Sequence, residues 1–173
     1  MSVKSTIRNA TTSVARAMTP DKSVEQTDIL DTLKREHDEV KELLEQLEGA
    51  DTADERVQLV RRIKSALVPH TLAEQEVVYD AVLAIGDEAA STHGHEGYLE
   101  HECASLALDR LEAAEPGSAE HKAAAKVLKE LVESHIKEEE RNIWRDVREN
   151  FDEAERSDMN VAFEAAKSEW QAS

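Results

Sequence analysis

From residue 28 onward, apolar residues return every three or four positions, the period of an α-helix buried along one side. Leu30, Leu33, Val40, Leu44 and Leu47 form the first stripe, and His37 falls within it. The stretch "DILDTLKREHDEVKELLEQLE" (28–48) therefore predicts a helix, with Thr27 placed to cap its first turn. A second stripe, Leu59, Ile63, Leu67, His70, Glu74, Val78 and Ala81, predicts a helix over 53–85 that stops at Gly86. Pro69 lies inside it and removes one backbone hydrogen bond, so a kink is expected there. A third helix is expected over 92–114, along His101, Ala104, Leu108 and Leu111, ending at "EPGS". A fourth should follow Ser118 and run to Arg148, along Val127, Leu128, Leu131, His135, Glu139 and Ile143. A last amphipathic stretch, 152–171, carries Met159, Phe163, Ala166 and Trp170 and is expected to pack across the outside. Long stripes with short connections predict an all-α fold, an up-down-up-down four-helix bundle.

The stripes repeat. Setting His70 on His135 pairs Glu74 with Glu139, Val78 with Ile143, Tyr79 with Trp144 and Val82 with Val147. An offset of 64 pairs His37 with His101, Leu44 with Leu108, Leu47 with Leu111 and Glu48 with Glu112. The chain reads as one αα-hairpin duplicated, each copy supplying a histidine from its first helix and a His-x-x-x-Glu from its second. Two such hairpins packed face to face would be related by an approximate two-fold axis, bringing six polar residues together in the interior.

Residues i and i+4 share a helix face about 6 Å apart along the axis, so His70 with Glu74, and His135 with Glu139, reach one small volume. Burying such groups without partners costs several kcal/mol each, and more for a charge. A pair of cations resolves that cost, with carboxylates bridging and neutral imidazoles donating lone pairs. Nitrogen and oxygen donors suit iron, manganese or zinc. The Glu-x-x-His pattern of ferritin-like di-iron bundles is missing, since Lys34, Leu67, Tyr98 and Val132 precede the four histidines by three.

Composition narrows the field further. Only 3% of the 173 residues are aromatic, with 5 Gly and 3 Pro, which favours long helices. No apolar run is long enough to span a membrane. Cys103, the single cysteine, has no internal partner, which fits a reducing, cytoplasmic setting. The formal charge is −17, and residues 1–24 hold four basic residues and one acidic. Taking those from totals of 21 and 38 leaves 17 basic and 37 acidic residues, a body at −20 that repels nucleic-acid backbones. The domain reading is an extension (1–24, a short amphipathic helix or frayed tail), a bundle (25–150) and a C-terminal helix (151–173).

On this order of residues, His, His-x-x-x-Glu, His, His-x-x-x-Glu, the chain resembles the hemerythrin-like, or HHE cation-binding, family over about residues 27–150, in its four-histidine branch. The resemblance implies a non-haem di-iron centre inside the bundle. His37 and His70 would serve one iron, and His101 and His135 the other. Glu74 and Glu139 would bridge them, together with an oxo or hydroxo group. Oxygen-carrying members have a further histidine four residues from the third-helix one, but here those positions are Gly97 and Ser105. Tyr98, one turn before His101, is the additional candidate ligand; the other reading is water or an open position. Zinc or manganese stand behind iron as alternatives.

Three function classes follow. The first is a module that binds or senses oxygen, nitric oxide or iron. The second is a di-iron enzyme consuming peroxide or reducing oxygen, which an open position favours. The third is a bundle with a structural zinc, disfavoured because six donors are too many for one tetrahedral ion. A small diatomic molecule or peroxide is the expected partner, and the oligomeric state is left open.

Overall fold

A computed structural model describes residues 27–171 of the chain. The predicted 1–24 extension lies outside the described residues.

Helix α1 spans Ile29–Gly49. Its cap is Asp28, whose carboxylate accepts the Leu30 amide at 2.9 Å. The cap thus sits one residue past the expected Thr27, where a carboxylate also meets the positive end of the helix dipole. Helix α2, Ala53–Glu74, is capped by the Thr52 hydroxyl and runs unbroken through Pro69. A π-helical turn follows over Gln75–Tyr79, before the short α3, Asp80–Leu83. Gly86 then turns the chain with a φ of 81°, a conformation that glycine reaches without a Cβ clash.

Helix α4 spans Glu88–Ala113 and begins earlier than its stripe suggests, because the Asp87 carboxylate accepts the amides of Ala89 and Ala90. Helix α5, Ala119–Arg141, starts at the Ser118 cap. The single fourth helix of the sequence reading breaks at Asn142, and α6 continues over Ile143–Asn150. Both second helices of the duplication therefore change register just after their glutamate. Helix α7 spans Glu153–Gln171. No strand occurs among the described residues, and none of their helices is long and apolar enough to cross a membrane.

Helix α1 packs on α2 and α5, and α4 on α5 and α2, which closes a ring of four antiparallel neighbours. Helix α7 lies against α2 and α1 with Met159, Phe163 and Ala166 buried and Trp170 at its exposed edge. Val127, assigned to the fourth stripe, is exposed; Leu128 beside it carries the buried face.

The apolar interior is in two parts. One is built on Val40, Leu44, Leu47, Leu59, Ile63, Leu67, Leu108, Leu111, Leu128 and Val132. The other is built on Ile29, Leu33, Ala73, Val78, Tyr79, Val82, Ile143, Trp144, Val147, Met159 and Phe163. The four stripe histidines fall at the boundary on every helix, between Leu33 and Val40, Leu67 and Ala73, and their counterparts. A polar layer thus divides the core. The two-fold relation also reaches the surface: Lys64 pairs with Glu112, and Lys129, its counterpart, pairs with Glu48.

Candidate metal centre

Four helices deliver six side chains to the polar layer. His37, His70, Glu74, His101, His135 and Glu139 are each at most 7% exposed. His37, His70 and Glu74 offer donor atoms within 4.8 Å of one another, as do Glu74, His101 and His135. Glu74 therefore belongs to both groups. Its Oε2 lies 3.6 Å from His70 Nε2 and 3.3 Å from His101 Nε2. Oε2 of Glu139 answers it, 3.2 Å from His37 Nε2 and 3.7 Å from His135 Nε2. Each carboxylate stands between one histidine of its own hairpin and one of the other.

All four imidazoles turn Nε2 inward, and each outer nitrogen faces a side chain placed by the duplication. His70 Nδ1 meets Glu36 Oε2 at 3.0 Å, and His135 Nδ1 meets Glu100 Oε2 at 2.8 Å. Glu36 and Glu100 directly precede His37 and His101, so they are counterparts. His101 Nδ1 lies 3.2 Å from the Gln75 amide, and His37 Nδ1 lies 3.6 Å from Glu140, the residue matching Gln75. A partner on Nδ1 fixes ring orientation and leaves the Nε2 lone pair for a cation.

The sequence reading missed Tyr79, which is fully buried at the same place. Its hydroxyl donates to Glu74 Oε2 at 3.3 Å and lies 3.2 and 3.4 Å from Nε2 of His101 and His135. Its ring stacks on His101, just as Trp144 stacks on His37 across the two-fold. The π turn explains Tyr79's position: i→i+5 bonding adds a residue to the turn and swings it onto the face of Glu74. The alignment of Tyr79 with Trp144 was the available signal. Tyr98 does not enter the layer; its hydroxyl donates to Gln75 O at 3.1 Å and Asp80 Oδ1 at 2.8 Å. Gly97 makes room for Tyr79, since a Cβ there would lie 2.7 Å from the ring.

Electrostatics favour donor behaviour. Burial pushes the His70 and His101 imidazoles below their ordinary range, so both stay neutral. Burial and the neighbouring Glu139 charge drive the Glu74 carboxyl well above its usual value. Burial is the largest influence on Glu139 and pushes it up, but His37, His135 and Glu74 together outweigh it and hold the carboxyl low. Burial and the same two carboxylates raise the Tyr79 phenol.

The residues fit a pair of cations, because the layer leaves its own polar atoms without protein partners. Both ring nitrogens of His37, Oε1 of Glu74 and both oxygens of Glu139 are buried and make no hydrogen bond. His37 Nε2 is close to Glu139 but not aligned for one. Orphaned atoms of this kind cost about 1–3 kcal/mol each unless a cation satisfies them. Beside the histidines is a cavity of about 20 Å³ walled by Val40, Leu67, Ala104, Val132 and Ile136. That is room for one very small molecule, against apolar walls.

The remaining histidines lie elsewhere. His93 Nδ1 pairs with Asp146 at 2.6 Å, and His121 is buried at the start of α5. Cys103 is exposed.

A protein named as a DNA nickase, from Nostoc sp. (strain PCC 7120 / SAG 25.82 / UTEX 2576), is 25% identical over 158 residues, covering 91% of this chain and 44% of that protein. The chain thus spans less than half the length of that relative. No solved structure matches it. The family model for the hemerythrin HHE cation-binding domain matches residues 28–145, which contain all six side chains of the polar layer. This chain belongs to the hemerythrin HHE cation-binding domain family.

Proposed function

We propose that the chain holds a dinuclear iron centre and uses it to bind or sense dioxygen, nitric oxide or iron itself. The observation that carries this reading is the convergence of four Nε2 atoms and two carboxylates, with Glu74 common to both donor groups. His37 and His70 would hold one iron, His101 and His135 the other, with Glu74 and Glu139 between them. Tyr79 supplies the further donor, on the His101 and His135 side. When bound, a reduced iron pair supplies electrons and an open coordination position for a diatomic ligand. The protein's own part is to orient Nε2 through the outer partners and to keep water out. The cavity of about 20 Å³ beside the histidines has room for a diatomic molecule or peroxide.

A second reading, a peroxide-consuming or oxygen-reducing enzyme, is favoured by Tyr79. Its hydroxyl is a proton-bearing group within 3.4 Å of three donor side chains. A structural zinc is a weaker reading, because the donors number more than a tetrahedral ion takes. The nickase name of the Nostoc relative is not extended to this chain, whose charge of −17 opposes a phosphate backbone.

One experiment separates the first two readings. Iron-loaded, anaerobically reduced protein is mixed with oxygen and then with peroxide, and the optical spectrum is followed. A stable adduct that reverses when oxygen is removed supports binding, whereas steady peroxide loss without an adduct supports the enzyme.

A further inference from the structure

The duplicated hairpins are nearly symmetric in their inner donors but unequal in what surrounds them, and α7 is the largest difference. Phe163 and Lys167 lie four residues apart on α7 and so share one face. The Phe163 ring meets His70 edge-on, with centroids 5.8 Å apart. Lys167 Nζ lies 5.3 Å above that ring and donates to Glu36 Oε1. The other oxygen of Glu36 accepts from His70 Nδ1 at 3.0 Å. A continuous chain of contacts therefore runs from α7 through Lys167 and Glu36 to the outer nitrogen of His70.

Nothing comparable serves the other half. Glu100, the counterpart of Glu36, holds His135 in the same way but has no cationic partner among the described residues. Its side chain is 35% exposed, against 12% for Glu36. Further groups face the relay. Arg35 is 3.5 Å from Glu36 Oε1, and Glu164 lies 3.3 Å from Lys167. Near His37, Glu140 is offset by Lys34 at 3.6 Å. Outer charge is thus balanced around His37 and His70, and left as one uncompensated carboxylate around His101 and His135.

We propose that Glu36 and Lys167 are positioning residues through which α7 lowers the cation affinity of the His37/His70 half alone. This rests on the dinuclear reading given above. The physical basis is that a carboxylate on Nδ1–H makes an imidazole a stronger donor. A lysine on that carboxylate withdraws part of its charge, and the pair is half-buried at the edge of an open cleft, which weakens screening by water without removing it.

The test is a calorimetric titration of metal-free, full-length protein with Co(II) under anaerobic conditions. Wild type is expected to show two binding steps; fewer than two would sink the dinuclear reading itself. E36Q should weaken one step by about 10- to 100-fold, and E100Q the other, which assigns them. K167M should tighten only the step that E36Q weakens, by about tenfold, as removal of one half-buried positive charge near the site predicts. K167R should bind as wild type does, which separates loss of charge from loss of fold. Equal shifts in both steps, no shift, or a weakening in K167M would overturn the proposal.

Discussion

A methyl group at Gly97 would lie 2.7 Å from Cε2 of Tyr79 and 3.1 Å from its hydroxyl oxygen. The ring is fully buried, so it has nowhere to retreat. Gly97 is one of the two positions four residues from His101, the other being Ser105, where the resemblance to oxygen-carrying family members would place a further histidine. The glycine on α4 leaves room for a tyrosine from the π turn that follows α2, and the oxygen near His101 comes from that turn.

Gly97→Ala should therefore destabilise the fold. Overpacking costs about 1–3 kcal/mol, and the better helix propensity of alanine returns about 1 kcal/mol. A net loss of about 1 kcal/mol is expected, read as a lower melting temperature by circular dichroism. An unchanged or raised melting temperature would mean that the ring has room to move.

Tyr79→Phe removes one oxygen and little else. The variant should fold and load iron, but the aerobic protein should lack the visible phenolate-to-iron absorption expected of wild type. Identical spectra would reduce Tyr79 to a packing role.

Glu74→Ala and Glu139→Ala should each leave the chain nearly free of cations, since either change removes a donor from both halves. Metal content after loading and desalting is the readout. Retention of both cations in either variant would rule out a bridging role for that carboxylate.

The metal-free protein should lose stability on acidification. His70 and His101 have folded-state values lowered by burial, so below about pH 6.5 the unfolded chain takes up protons that the folded chain refuses. Their contribution is complete above that pH and declines as pH falls, by up to about 1.4 kcal/mol per pH unit for each histidine. The raised Glu74 carboxyl holds a proton in the folded state and offsets one histidine's share, so a net decline is expected from about pH 6 downward. Urea unfolding at stepped pH would measure this. A midpoint constant from pH 7 to 5 would contradict it.

Much of this was legible in the sequence because it is periodic. The three- and four-residue spacing of Leu30, Leu33, Val40, Leu44 and Leu47 marks a buried face, and all five are buried. His37 and its three counterparts interrupt such faces at matched places, so their meeting in one layer followed from the duplication. What escaped was set by local backbone geometry. Tyr79 reaches the layer only because a π turn departs from the 3.6-residue period, and no side-chain spacing announces such a turn. Tyr98, one turn of ideal helix before His101, is an additional candidate beside water or an open position, but its hydroxyl finds a backbone carbonyl and Asp80 first. The outer carboxylates Glu36 and Glu100 had a readable signal, "EH" in both hairpins. Lys167 had none, because its contact depends on how α7 lies across α1 and α2.

The central claim is that one polar layer holds two cations and thereby makes six buried donors tolerable. Metal analysis of full-length protein expressed with iron tests it most directly. The account predicts two irons per chain, lost together in Glu74→Ala. One zinc per chain with no iron, or a stable fold that takes up no cation at all, would contradict it.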